Sequence, residues 1–171
     1  MADHKVLAAD FMYQTHFGFE SAPSKTNPEI VDSMAKAMFS AINGDGKITP
    51  KERAWVKGYF ATKGFSDAVV DSVDTMQPLP VEEVVTLMSE SILRFGRNLL
   101  IYDAIRAASA DREYPDGERT TVATVAAALG VSPKTLEAIE KLVKEEQELL
   151  TRRIALLLPL GHPNLADRYK L

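Results

Sequence analysis

Two short acidic segments contain the residues of this chain whose types and spacing could do chemistry. In the first, Asp45 is followed seven residues later by Glu52. In the second, Asp111 is followed by Glu118 at the same spacing. Carboxylate oxygens are the ligands that Ca²⁺, Mg²⁺ and Mn²⁺ prefer in proteins. The candidate metal ligands are therefore Asp45, Glu52, Asp111 and Glu118, and no organic cofactor is predicted.

The first acidic segment matches part of a calcium-binding loop. With Asp45 at position 5 of such a loop, Gly46 falls at the turn position and Glu52 at position 12. Position 1 is Ala41, whose side chain has no oxygen, so an intact calcium hand is not expected. A cation site would instead need the two segments to pack together, because converging carboxylates repel one another unless a cation or basic side chain lies between them. Three nearby acids could add oxygens: Asp103, Glu113 and Asp116.

Helix capping is the alternative role for the same acids. The run Thr49-Pro50-Lys51-Glu52 has the pattern of a capping box with proline at the first helical position. An aspartate before a turn glycine can bond to its own backbone. Arg53 and Arg119 directly follow the two glutamates and could neutralise them. The sequence leaves both roles open, metal ligand and helix cap.

The two segments belong to an internal repeat at an offset of 66 residues. Residues 41–66 align with 107–132 without a gap, and eight of the 26 positions are identical. The matches include charged and turn residues as well as apolar ones: Asp45/Asp111, Glu52/Glu118, Arg53/Arg119, Gly64/Gly130 and Ser66/Ser132. A duplicated helical unit is the interpretation that this pattern favours.

The spacing of apolar residues predicts helices throughout, and no segment alternates with a period of two. We therefore predict an all-α fold of about seven helices in two pseudo-symmetric repeats, about residues 27–76 and 93–143. A single bridging helix carrying Val81 to Phe95 would join them, and Ser132-Pro133 would open a long last helix. Residues 27–158 would form one domain, flanked by an N-terminal aromatic arm (1–26) and a C-terminal tail (159–171).

Composition excludes several classes of function. The chain of 171 residues has no cysteine, which excludes disulfides and thiolate zinc sites, and its net charge of −4 comes with no basic stripe for nucleic acid. The longest apolar run, 154–158, is too short to span a bilayer, and the first residues lack the basic and apolar regions of a signal peptide, so a cytoplasmic protein is expected. Three histidines lie outside the repeats and form no zinc motif: His4, His16 and His162. No nucleophile or phosphate-loop motif is present, which favours a protein that is not an enzyme.

Two surfaces could contact a protein partner. One is the aromatic arm, through Phe11, Tyr13, Phe17 and Phe19. The other is the last helix, whose charged residues are otherwise expected to form a solvated face with ion pairs along the helix. These residues are Lys141, Lys144, Glu145, Glu146, Glu148, Arg152 and Arg153.

The repeated acidic turn, together with the run Leu129-Gly130-Val131-Ser132-Pro133, resembles the TerB-like family of tellurite-resistance proteins. The resemblance covers roughly residues 27–157 and implies an all-α domain of two similar halves that binds a divalent cation in stress or tellurite resistance. By position it implies the same four acids as ligands. Arg112 departs from the glycine of the family turn and places a cation beside the second segment.

Three hypotheses for function follow. The first is a TerB-like module that binds a divalent cation and acts within an assembly. The second is a protein-interaction module whose acidic turns are only helix caps. The third, and the least favoured, is an enzyme with a carboxylate-lined helical pocket.

Overall fold

The computed structural model describes residues 4–18, 28–43, 46–88, 92–111 and 114–161, with the backbone alone at Pro28, Phe95 and Asp111. Eight α-helices follow one another in this part of the chain, and it contains no strand. They are α1 (His4–Phe17), α2 (Pro28–Ile42), α3 (Pro50–Thr62), α4 (Asp67–Ser72), α5 (Val81–Leu87), α6 (Arg97–Ala108), α7 (Asp116–Ala128) and α8 (Pro133–Leu157). A π-helical turn (Ile92–Gly96) precedes α6, and a 3₁₀ turn (Ser109–Asp111) follows it. The all-α prediction is confirmed.

The core forms around α2 and α6, which pack against each other. α2 also packs on α7, and α6 packs on α8. Both central helices bury apolar side chains at helical spacing, because their stripes face each other: Phe39 and Ile42 from α2, and Ile101 and Ile105 from α6. The apolar stripes that the sequence predicts are therefore the ones that build the core.

The helix ends follow local chemistry. The Thr49 hydroxyl accepts a bond from the Glu52 amide (3.2 Å), and the Glu52 carboxylate accepts one from the Thr49 amide (2.6 Å), which completes the predicted capping box of α3. Ser132 caps α8 by accepting from the Thr135 amide (3.1 Å). These caps satisfy amides that the first turn of a helix leaves without a partner.

Glycine ends α3 and α7 in the same way. Gly64 and Gly130 have φ angles of 75° and 74°, a left-handed conformation that other residues rarely adopt. After each, the next amide reaches back to the helix, from Phe65 to the Phe60 carbonyl (3.3 Å) and from Val131 to the Ala126 carbonyl (2.8 Å). Two positions that are aligned in the sequence repeat thus have the same local geometry.

The N-terminal arm is a helix in its described part. α1 packs on α3, with Ala9 and Met12 buried. Tyr13 and Phe17 are half-buried, Phe11 is 70% exposed, and Phe19 lies outside the described residues.

The predicted bridging helix is wrong, because the structure divides it. α5 ends at Leu87, Met88 has an extended backbone (ψ 120°), and the chain resumes as the π-helical turn before α6. Three of the seven residues of α5 are valines, which lower helix propensity. Gly96 lies at the junction between the π-helical turn and α6.

No helix in the part of the chain that the structure describes combines the length and the apolar character needed to cross a membrane.

Candidate functional site

The two glutamates of the acidic segments lie at equivalent places on their helices. Each is the third residue of its helix, Glu52 in α3 and Glu118 in α7. Both side chains are buried, with exposures of 1% and 9%. Carboxylates are rarely buried without compensation, because burial disfavours the charged form. Both carboxyl groups therefore need compensating contacts at the starts of their helices.

Only one of the two glutamates is explained by capping. Glu52 forms the capping box with Thr49. The corresponding residue before α7 is Pro115, which makes no side-chain cap and has no amide hydrogen for Glu118 to accept. The capping role therefore accounts for Glu52 and does not extend to Glu118.

The aspartates of the two segments are located less completely. Asp45 lies outside the described residues, and Asp111 is described by its backbone, in the 3₁₀ turn. That turn packs against α3, the helix that begins with the Glu52 capping box. Among the side chains that the structure describes, no group of three or more His, Asp or Glu residues is arranged to hold a metal ion. The four-carboxylate site includes side chains beyond that set and stays a prediction.

The arginines that follow the two glutamates point to other partners. Arg53 donates through Nη1 to the carbonyls of Val73 and Met76 and lies over the Phe39 ring, 5.0 Å from its centroid. Arg119 forms a two-bond ion pair with Glu140 of α8, at 3.0 and 2.7 Å. The interpretation that these arginines neutralise the acidic turns therefore receives no support from their contacts.

Of the three acids expected near the second segment, Asp103 has a different role. Its side chain is 1% exposed, and its Oδ2 accepts a bond from Nζ of Lys63 (2.8 Å), which is 3% exposed. Its Oδ1 accepts a bond from the Tyr59 hydroxyl (2.6 Å). Asp116 is exposed at the start of α7, and Glu113 lies outside the described residues. Asp103 thus belongs to a buried ion pair between α3 and α6.

This buried ion pair is bordered by stacked aromatic rings. The Lys63 ammonium lies 4.4 Å from the Tyr59 ring centroid, and the Arg106 guanidinium lies between 5.3 and 5.7 Å from the rings of Trp55, Tyr59 and Tyr102. Cations over aromatic faces are attracted by the ring quadrupole. We call this group the aromatic–ionic centre; its members are Trp55, Tyr59, Lys63, Tyr102, Asp103 and Arg106.

The aromatic–ionic centre perturbs the groups around it. Burial, and then the nearby Asp103 carboxylate, raises the pKa of Tyr59 far above its usual value. Burial and a hydrogen bond to Glu146 raise the pKa of Tyr102. His16 of α1 lies at the edge of the centre, and partial burial together with the positive charge of Arg106 lowers the pKa of its side chain. Every one of these shifts favours the uncharged form, as expected beside a low-dielectric interior.

The centre was missed in the sequence, although a signal was present. Trp55, Tyr59 and Lys63 follow one another at intervals of four, and Asp103 interrupts the otherwise apolar core run of α6. A lysine on the same helix face as aromatic residues and an acid within an apolar stripe are both expected to be buried, and a buried charge requires a partner of opposite charge. Their separation of 40 residues hid that pairing.

A groove of about 340 Å³ lies between α6, α7 and α8. Ile105 and Val143 form apolar parts of its wall, and Tyr114, Arg119, Glu140 and Lys144 also line it. Burial raises the pKa of Tyr114. Glu140 engages the Arg119 guanidinium with two hydrogen bonds, so the carboxylate offsets the positive charge of that arginine in the groove.

The fold is similar to that of a known protein. A crystal structure of a tellurite resistance protein from Nostoc punctiforme PCC 73102 superimposes with a TM-score of 0.80, covers 95% of this chain and 99% of its own, and is 27% identical in sequence. No family model matches the chain, and no curated protein matches it. The resemblance predicted from the paired acidic turns is confirmed by this structural neighbour, and the chain has the TerB-like helical fold of tellurite-resistance proteins.

Proposed function

We propose that this protein is a non-enzymatic module that binds a divalent cation and acts in tellurite-type or stress resistance as part of an assembly. The cation would be Ca²⁺, Mg²⁺ or Mn²⁺, held by oxygens of Asp45, Glu52, Asp111 and Glu118. The similarity to a protein described as a tellurite resistance protein supports the process, and the chemistry of the donor set supports the class of ion.

One observation carries the cation proposal. Glu52 and Glu118 are buried at the aligned first turns of α3 and α7, so two carboxylates of the predicted donor set lie in the interior of the fold. A divalent cation supplies the positive charge that would offset the carboxylates of the paired turns. Packing of the 3₁₀ turn with Asp111 against α3 supports an approach of the second segment to the first.

The test is thermal unfolding of chelator-treated protein with and without each of the three ions. A ligand at a hundredfold excess over its Kd stabilises the folded state by about 2.7 kcal/mol, which raises the midpoint of a chain of this size by about 5–10 °C. We expect Glu118→Gln and Asp45→Asn to reduce this shift. The matched control is Glu137→Gln, which removes an exposed carboxylate of α8 that belongs to neither acidic segment. A midpoint that no ion moves, or an equal loss in the control, would refute the cation site.

The second candidate function is a protein-interaction module whose acidic turns only cap helices. The observation that favours it is the exposed apolar surface of α1, formed by Val6, Leu7 and Phe11. Isolated exposed apolar residues are common, but three on one short helix are typical of a contact surface.

This candidate is tested by a binding assay on α1. We expect Phe11→Asp to lose the native partners that the wild-type chain co-purifies with, whereas a change at exposed Gln14, such as Gln14→Asp, keeps them. Retention of all partners by Phe11→Asp would reject α1 as the contact surface.

A further inference from the structure

One side of α8 presents leucines that stay partly exposed in the described part of the chain. Val143 is the residue of α8 that the fold buries completely, and the helix continues to Leu157. Leu142, Leu149 and Leu156 are 46%, 46% and 79% exposed. Three large apolar side chains on one helix leave a face that water solvates poorly.

These three leucines form one stripe. They are seven residues apart, so each is two turns and about 10 Å from the next and differs from it by only about 20° around the helix. Val143, which packs on the body, lies about a third of a turn away from Leu149. The leucine stripe is therefore a second face of α8, distinct from the face that holds the helix to the core.

The charges that flank the stripe are arranged with opposite signs about its centre. Glu145 and Glu146 precede Leu149 by four and three residues, and Arg152 and Arg153 follow it by three and four. All four side chains are exposed. A second helix that is rotated by 180° about an axis through Leu149, perpendicular to the helix axis, places its basic residues opposite the acidic residues of the first. The arrangement is therefore self-complementary.

We propose that α8 is a homodimerisation helix, through which two copies of this chain associate in antiparallel orientation with Leu149 on the twofold axis. In this arrangement Leu142 contacts Leu156 of the second copy. Glu145 faces Arg152 of the second copy on one side of the stripe, and Glu146 faces Arg153 of the second copy on the other. Because a twofold interface repeats every contact, four ion pairs surround three layers of leucine.

Charge decides between the two possible orientations. In a parallel pair, Glu145 and Glu146 would face the same acids of the second copy, and Arg152 and Arg153 would face the same bases. Like charges placed opposite each other disfavour an interface, whereas the antiparallel pair places every acid opposite a base.

Cysteine cross-linking tests both the association and its direction. The chain has no cysteine, so single cysteines can be introduced cleanly. Disulfide formation needs Cα atoms within about 7 Å. We expect Leu149→Cys to oxidise to a covalent dimer. Leu142→Cys alone and Leu156→Cys alone should form no disulfide, because the two identical positions lie about 20 Å apart in the proposed dimer. A mixture of the two variants should cross-link.

Charge-reversal variants test the ion pairs that are proposed to flank the leucine stripe. Arg152→Glu places acid against acid twice in a dimer, and Glu145→Arg places base against base twice. We expect each variant to weaken dimerisation by about tenfold at low salt, and an equimolar mixture to recover wild-type affinity as a heterodimer. The control is Thr151→Glu, which adds one charge on the opposite face of α8.

Sedimentation equilibrium of the full wild-type chain measures the association itself. A dimer that Leu149→Glu converts to a folded monomer, with unchanged circular dichroism, is the expected result. A wild-type chain that stays monomeric at every concentration overturns the proposal. So does a dimer that Leu149→Glu leaves intact, or one in which Leu142→Cys cross-links with itself. The cation titration above is independent of these outcomes.

Discussion

At the scale of single residues, the ion pair between Lys63 and Asp103 is the contact whose disruption should lower the free energy of unfolding most. Both side chains are almost completely excluded from solvent and their charged atoms lie 2.8 Å apart. A buried pair of this kind adds little to stability over an apolar pair, but removal of one partner leaves an uncompensated charge in the interior.

We therefore expect Lys63→Met to lower the free energy of unfolding by about 3–5 kcal/mol. The matched control is Lys57→Met on the same helix, which removes an exposed lysine that pairs with Asp74 and should cost much less. Adding Asp103→Asn to Lys63→Met should recover part of the loss, because the stranded charge is then gone. Urea denaturation measures all three, and equal losses in Lys63→Met and Lys57→Met would show that the buried pair has no special role.

The buried tyrosines give the protein a predictable response to alkali. Because the pKa of Tyr59 is raised in the folded state, the unfolded chain loses this proton near pH 10 while the folded chain keeps it. Stability therefore falls as pH rises above about 10, by about 1.4 kcal/mol per pH unit for each such tyrosine. Tyr59→Phe should remove the contribution of one tyrosine from this slope. Urea denaturation at a series of pH values measures the free energy of unfolding and so gives the slope. A slope that the substitution leaves unchanged would contradict the assignment.

At the scale of elements, helix ends were the features that the sequence predicted best. The capping box at Thr49 and the start of the last helix at Ser132-Pro133 were both confirmed. Each depends on atoms within about one turn of chain, so the residue types alone specify them. The bridging helix was the error at this scale, because apolar periodicity continued across a point where the backbone departs from the helix.

Two glycines provide a matched test of element geometry. Gly130 has a φ of +74°, and a Cβ there would lie 3.1 Å from Nη1 of Arg97, so Gly130→Ala should cost about 1–2 kcal/mol. Gly58 lies within α3 with open space where a Cβ would be, so Gly58→Ala should gain about 0.5–1 kcal/mol. Thermal unfolding distinguishes them by opposite signs. Destabilisation by both changes would mean that α3 tolerates no side chain at position 58.

At the scale of the whole molecule, α8 has two distinct faces. One face holds the helix to the core through Val143, and the other carries the exposed leucine stripe. Association of folded chains raises Tm with protein concentration, because binding stabilises the folded state by mass action.

We accordingly expect the Tm of the full chain to rise with concentration. Ending the chain after Gln147 should abolish that dependence while the limiting Tm at high dilution changes little, since residues 148–161 contribute no buried side chain. Differential scanning calorimetry at several concentrations measures both. A large drop in Tm at high dilution would instead assign the second half of α8 to the core.

The sequence by itself determined the all-α class, the capping box of α3 and the start of the last helix, and it pointed to the family whose fold the chain has. These depend on local spacing, which a linear chain displays directly. Only the tertiary structure decided how distant polar groups are paired: Lys63 with Asp103, Tyr102 with Glu146, and Arg119 with Glu140. Those partners are 40, 44 and 21 residues apart. The reason is physical: a buried charge requires a partner, but which one it meets is set by how the helices pack.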